Sequence, residues 1–211
     1  MSINYLIIGF TALVSIMAFS NGELMHKLRH WPYQEQRRGE YYRLLSGGFL
    51  HADPMHLIFN MITLYFFGRY VEDWFIGSFG ELGSTTYLLF YLLAIVAASL
   101  ATFYRYRNNP SFASIGASGA TSAVLFAAIL LDPTIGIMMF FIPIAIPGFI
   151  FGAIYLWYSS YASQRGRDNI DHVAHFYGAV FGFLFPLLFQ PALLLGFFEQ
   201  MSSWFRYTFG G

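Results

Sequence analysis

Residues 84–104 read STTYLLFYLLAIVAASLATFY, without one charged side chain. A helix needs about 20 mostly apolar residues to cross the hydrocarbon of a bilayer, and this stretch supplies them. Working outward, segments of the same character lie at about 4–20, 55–71, 116–131, 134–158 and 171–190. The composition agrees. Of 211 residues, 57% are hydrophobic and 10% charged, where an ordinary soluble domain carries roughly 25% charged residues. A soluble fold must coat itself with charge; the simplest solvent for this chain is lipid. Its 25 Phe and 15 Tyr suit membrane interfaces, where an apolar ring and a polar tip are both satisfied. The expected fold is an all-α membrane protein with six transmembrane helices, forming one domain over residues 1–211.

The connections are unequal. Residues 21–53 form a long polar first loop that still carries Trp31, Tyr33, Tyr41, Tyr42, Phe49 and Leu50, which suits an interfacial segment with short amphipathic elements. The fourth and fifth segments are joined by almost nothing. The tail at about 192–211 is amphiphilic and suited to lying on the membrane. Pro143 and Pro147 fall inside the fifth segment and each removes a backbone donor, so that helix is expected to bend, as a tolerated kink or a moving gate. The apolar start ends in Ala18-Phe19-Ser20, but Met1 to Asn4 bring no positive charge, so a retained helix is expected rather than a signal peptide.

Net charge is zero and no Lys/Arg-dense tract occurs, which speaks against a nucleic-acid partner. Cysteine is absent, excluding disulfides, thiolate metal sites and a cysteine nucleophile. Six spans put both termini on one side. The first, third and fifth loops then carry Lys27, Arg29, Arg37, Arg38, Arg43, Arg105, Arg107, Arg165 and Arg167, against Arg69 and Arg206 opposite. The positive-inside rule places the Arg-rich loops in the cytoplasm.

Polar groups inside a membrane are costly and mark function by default. Here they gather on three helices. Gly116-Ala117-Ser118-Gly119 opens the fourth. First-turn N–H groups lack intrahelical partners, and the helix dipole makes that end positive. Both favour the oxyanion formed when a serine attacks an amide. The same small residues also serve plain helix packing, so the motif alone decides nothing. A serine needs a base, and histidine suits that task near neutral pH. His175 lies about one turn into the sixth helix, with Gly178 and Gly182 on its face. That face admits a close neighbour such as the helix of Ser118; alternatively it is a packing motif beside a satisfied buried histidine. His56 and Asn60 share a face of the second helix and both donate hydrogen bonds, as oxyanion-hole side chains do; a structural Asn–His pair is the other reading. His51 reads as packing or support. Asp171 precedes His175 by four residues, where it either orients the imidazole or, as we prefer, stabilises the helix start through the dipole.

Taken together, these clusters resemble the rhomboid family of intramembrane serine proteases. The matching residues are His51-Ala-Asp-Pro-Met-His56-Leu-Ile-Phe-Asn60-Met, then Gly68 and Glu72, then Gly116-Ala117-Ser118-Gly119-Ala, then Ala174-His175 with Gly178 and Gly182. The resemblance implies a six-helix rhomboid-like bundle with a water-accessible cavity. It implies Ser118 and His175 as a catalytic dyad without a third member. It implies an oxyanion and substrate-binding site of His56, Asn60 and the backbone at Gly116, Ala117 and Ser118. The activity implied is a serine endopeptidase acting on transmembrane protein substrates within membrane lipid, without metal or cofactor. The location implied is a bacterial inner (plasma) membrane with the site opening to the extracytoplasmic side, opposite to the charge rule. The first-loop Arg residues are then expected to pair with Glu23, Glu35, Glu40 and Asp53. Where many members carry Trp-Arg in the first loop, this chain has Tyr42-Arg43. The rival reading is a catalytically inactive rhomboid-like protein that binds membrane clients; such members typically lack the serine or the histidine. A zinc protease would need His-Glu-x-x-His or a similar set. No Glu follows His26 to complete that motif with His30, which leaves His51, His56, His172 and His175 as ligand candidates. A transporter would line a path across the bilayer with polar residues, whereas these cluster near one face.

Overall fold

The structure, a computed structural model, describes residues 2–139, 142–165 and 170–210. Helix α1 (Ile3–Phe19) leads into a first loop of three short helices, α2 (Gly22–Leu28), α3 (Pro32–Arg38) and α4 (Arg43–Ser46). Then come α5 (Pro54–Thr63), a π-helical turn (Leu64–Gly68), α6 (Arg69–Phe79), α7 (Gly83–Tyr106) and α8 (Ser118–Leu131). A two-stranded hairpin, β1 (Gly136–Met139) and β2 (Ile142–Pro147), precedes α9 (Gly148–Ser163), α10 (His172–Leu184) and α11 (Leu193–Phe209).

The helical run Pro54–Tyr106 is 53 residues long and apolar enough to cross a membrane. As one straight rod it would reach about 80 Å at 1.5 Å per residue. Instead it folds back. Gly80 takes a positive φ of 57°, Gly83 sits against the backbone of Ile76, and α6 packs along α7. Helices stand at five of the six places expected from the sequence. Of these, α1 and α8 are apolar but short, and α10 passes the same length test only together with α11, across a bend of 112°. Helix length alone therefore does not establish six spans.

The fifth segment departs from expectation. Its first half is the antiparallel hairpin, with Ile137 opposite Ile146 and Gly136 opposite Pro147, and the helix begins only at Gly148. Among the described residues the fold is thus mostly α with one β-hairpin, and α8 and α9 are not directly joined. Two prolines explain it. Each clashes with a helical conformation of the residue before it, here Ile142 and Ile146, and pushes it into the extended region. Ile142, Ile144 and Ile146 then alternate with Pro143 and Ala145, a β-branched period-two pattern.

Helix α8 is the axis of the molecule. Every residue from Gly119 to Leu130 is buried, as expected of a helix that is apolar all round. Helix α10 lies against it at backbone contact. A Cβ at Gly178 would overlap the carbonyl of Gly119, and one at Gly182 the carbonyl of Ala123. Small residues four apart on both partners let lipid-embedded helices approach this closely. Helix α7 closes another side, with Ala98 against Gly119.

Helix α1 is tied in by polar bonds. Glu72 accepts from the Ser2 hydroxyl, the N–H groups of Ile3 and Asn4, and the Ser84 hydroxyl, so a carboxylate from α6 caps the start of α1. Asn4 is fully buried. It donates to the carbonyl of Leu64 at 2.9 Å, where the π turn begins, and accepts from Tyr87 at 2.8 Å. Gly68 leaves room for its amide. In the first loop, buried Arg43 donates to Glu40 and to the carbonyls of His26 and Arg29. The other expected pairings differ: Glu35 meets His30 at 2.6 Å, and Asp53 caps α5 by accepting from the N–H of His56. Arg167 lies outside the described residues.

His51 is completely buried. Its Nδ1 lies 2.8 Å from the Ser15 hydroxyl of α1, and its ring stands edge-on to His56 with centroids 5.0 Å apart. Burial, helped by His56 and opposed by Asp53, lowers its pKa to about 3.

Two predictions follow from this packing. Gly178→Ala should lower the melting temperature in detergent, at a cost of about 1–3 kcal/mol for overpacking, because the obstructing atom is backbone. Gly9→Ala, with nothing within 4 Å of its Cβ, should be neutral or stabilising; equal effects would contradict the contact. Second, an unfolded histidine titrates near 6.5, so the unfolded chain binds a proton at His51 that the folded chain refuses. The stability from neutral His51 is complete above about pH 6.5 and is lost as pH falls from there toward about 3. Melting temperatures at pH 7 and pH 4.5 should diverge more in the wild type than in His51→Gln; parallel curves would contradict this.

Candidate active site

The site begins where the chain enters α8. Ser114 donates its N–H to the carbonyl of His30 at 2.9 Å, and Gly116 donates to that of Gly47 at 3.1 Å. The first loop thereby pins the approach strand. Gly116 takes φ +142°, a conformation open to glycine. A Cβ there would come within 2.8 Å of His56 Cε1, 3.1 Å of His56 Nε2 and 3.5 Å of Ser118 Oγ. The His56 imidazole and the Ser118 hydroxyl therefore both lie beside Gly116. Its N–H is engaged by Gly47, so what Gly116 contributes here is space beside His56 and Ser118.

Ser118 is the first helical residue, after the buried N-cap Ala117. The first bond across the turn runs from Thr121 N–H to the Ala117 carbonyl at 2.8 Å. The N–H groups of Ser118, Gly119 and Ala120 come before it and have no intrahelical acceptor. The Ser118 carbonyl accepts from Thr121 at 3.1 Å and from Ser122 at 2.7 Å.

Asn60, also buried, faces this turn from α5. Its Oδ1 accepts from Thr121 at 2.8 Å and its Nδ2 donates to the carbonyl of His56 at 2.9 Å. Those bonds orient the amide and leave one Nδ2 proton unspent, since a side-chain amide carries two.

His175 enters one turn into α10, its N–H donating to the Asp171 carbonyl at 3.1 Å. Its neighbour Ala174 touches Gly119, the carbonyl lying 3.3 Å from where a Cβ would be. With Gly178 against Gly119 as well, the first turns of α8 and α10 stand side by side. The imidazole stacks on Tyr155 of α9, with centroids 6.2 Å apart and planes at 26°. The Tyr155 hydroxyl bonds Ser122 at 2.6 Å. His172 is buried and meets Tyr158 edge-on at 5.6 Å. The Asp171 carboxylate accepts from Ala174 N–H and from the Thr102 hydroxyl, each at 2.9 Å. It is the N-cap of α10, oriented towards α7 and its own helix start.

A cavity of about 30 Å³ touches Ser118, Gly119, Ser99, Ser114, His30 and Asp171. That is room for about one or two waters. Among the described residues no three His, Asp or Glu side chains gather as a metal would require.

Thr121, Ser122, Tyr155 and Thr102 were not singled out in the sequence. Thr121 and Ser122 could have been: they follow Ser118 by three and four residues, on its face of an otherwise apolar helix. Tyr155 carried no such signal, because its helix begins fourteen residues later than expected.

Comparison with known proteins completes the picture. A model of the rhomboid domain matches residues 38–192. Over 152 residues, 68% of this chain, it is 30% identical to the mitochondrial RHOMBOID-like protein 12 of Arabidopsis thaliana, covering 45% of that protein. It is 32% identical to rhomboid protease GluP of Bacillus subtilis over 69% of this chain and 25% of the relative. With rhomboid protease GlpG of Haemophilus influenzae it shares 33% identity over 46% of this chain and 45% of the relative. The matches thus take in under half the length of each relative. A domain match over most of the chain, on a helical fold suited to a membrane, leads to one conclusion: this chain belongs to the rhomboid family of membrane-embedded proteins.

Proposed function

We propose that the chain is an intramembrane serine endopeptidase in which Ser118 is the nucleophile and His175 the base. The observation that carries this reading is the adjacency of the two first turns. Glycine contact joins α8 at Gly119 to α10 at Ala174 and Gly178, which supports reading the serine and the histidine beside those residues as one site.

The parts suggest the sequence of events. A transmembrane substrate enters from the lipid and unwinds locally, since a helical peptide bond is shielded and already hydrogen-bonded; helix-breaking residues near the bond ease this. Ser118 Oγ attacks the carbonyl carbon while His175 takes its proton. The oxyanion accepts from the N–H groups opening α8, from His56 and from the remaining Nδ2 proton of Asn60. His175 then protonates the leaving amine. Water, for which the cavity beside Ser118 is a store, hydrolyses the acyl-enzyme. We read α1, α5–α6, α7, α8, α9 and α10 as the six spans, in a bacterial inner membrane with the site towards the extracytoplasmic side. Burial of Arg43 on Glu40 and backbone carbonyls supports that orientation, because a cation used in this way is not a free topological signal.

Purified protein should cleave a model transmembrane substrate, and Ser118→Ala and His175→Ala should each abolish cleavage while keeping a wild-type melt. Asn60→Ala should cost about 10²–10³ in rate, the usual loss for one oxyanion donor. Asp171→Asn should stay active, because asparagine caps a helix as well as aspartate. A folded His175→Ala enzyme at full rate would refute the dyad, and a folded wild type that binds the substrate without cutting it would favour a client-binding protein. For orientation, a tag between residues 21 and 41 should be reached by protease in intact cells; protection until the membrane is breached would reverse the topology.

A further inference from the structure

Helix α11 takes no part in the site, and its surface divides into three lengthwise sectors. Leu193, Phe197, Met201 and Trp204 are half-buried and fall within about 80° of one another at 100° per residue. They form the face against the bundle: Phe197 meets Phe183 edge-on at 5.4 Å, and Trp204 meets Phe149 at 5.3 Å. Beside them Leu194, Phe198, Phe205 and Phe209 fall within about 60°. This row is exposed, Phe198 at 57% and Phe209 at 72%. Glu199, Ser203 and Arg206 occupy the third sector, also exposed, about 120° from the exposed apolar row.

Its placement gives the sectors meaning. Gln200 donates to the carbonyl of Leu131, the last residue of α8, so α11 lies at the end of α8 away from Ser118. Its axis turns 112° from α10. With α10 crossing the membrane, α11 runs nearly along the membrane plane. Leu184, Leu188 and Phe189 just before it are 51%, 75% and 49% exposed, apolar surface of the kind that lipid covers in a membrane-embedded family. A helix with one face on protein, one apolar face free and one charged face is built for the boundary between acyl chains and water.

We propose that α11 is an interfacial helix whose partner is the lipid bilayer, and that it fixes the depth of the bundle from the face opposite the active site. Phe198, Phe205 and Phe209 enter the acyl region while Glu199, Ser203 and Arg206 stay in water. Helix α8 has 14 residues, or about 20 Å at 1.5 Å per residue, and this length sets how far Ser118 stands from the plane of α11.

The chain has no cysteine, so single-cysteine labelling is unambiguous. Full-length Phe198→Cys, Phe205→Cys and Ser203→Cys, each carrying a fluorescent label, are placed in phosphatidylcholine vesicles. Quenching by doxyl-labelled phosphatidylcholine should be at least twofold stronger at 198 and 205 than at 203, and quenching by aqueous iodide should follow the reverse order. Equal iodide access at all three positions would overturn the proposal. So would labels at 198 and 205 shielded from both quenchers and crosslinking between chains, which would make a second copy the occupant. Leu194→Cys, in the same apolar row and 39% exposed, repeats the test should either phenylalanine prove necessary for folding.

Discussion

The approach of α10 to α8 at backbone distance is the contact on which the rest of the molecule depends. Inside lipid there is no hydrophobic drive to bring helices together, so association relies on van der Waals fit and polar bonds. Gly178 and Gly182 supply the fit by presenting bare backbone to Gly119 and Ala123. The contact runs from the first turns, where Ala174 meets Gly119, to Ala123 and Gly182 further along, so it sets the placement of the candidate site as well as the stability of the pair. The opening turn of α8 brings a hydroxyl and open N–H groups; that of α10 brings an imidazole. One methyl group between them would separate the two.

A second constraint follows from burying polar groups out of water, where each unmet bond costs several kcal/mol. The structure answers with chains of hydrogen bonds that also set orientation. Thr121 holds Asn60 by its oxygen, which turns the amide nitrogen toward the carbonyl of His56 and leaves a proton to spare. Ser122 holds Tyr155, whose ring supports His175. Asp171 is spent on Thr102 and its own helix start, and the imidazole stacks on Tyr155. Tyr155 also links α9 to the site, so displacement of that helix is felt at the histidine.

Much of this was legible in the sequence because it rests on periodicity. The phase of Gly178 and Gly182 relative to His175 marks the face that meets α8, and the structure puts that face there. Asp171 stands at a helix start and acts as a cap. What escaped depends on competition between local preferences or on partners distant in sequence. Residues 134–147 are apolar enough to extend a helix, but Pro143 and Pro147 do more than bend it: they hand the segment to a hairpin. Opposite charge alone matches Glu35 with arginine, yet it lies buried against His30, whose proximity no spacing reveals. The bond from Asn4 to Leu64 arises from a π turn that has no sequence signature here.

In the proposed mechanism Ser118 and His175 act as one unit. The most direct test is covalent labelling of the purified protein in lipid by a mechanism-based serine reagent, with the modified residue identified by mass spectrometry. A single adduct on Ser118 is expected, lost in His175→Ala, retained in Asp171→Asn and indifferent to chelators. Equal labelling of a folded His175→Ala protein, or reactivity that vanishes with chelator and returns with zinc, would contradict it.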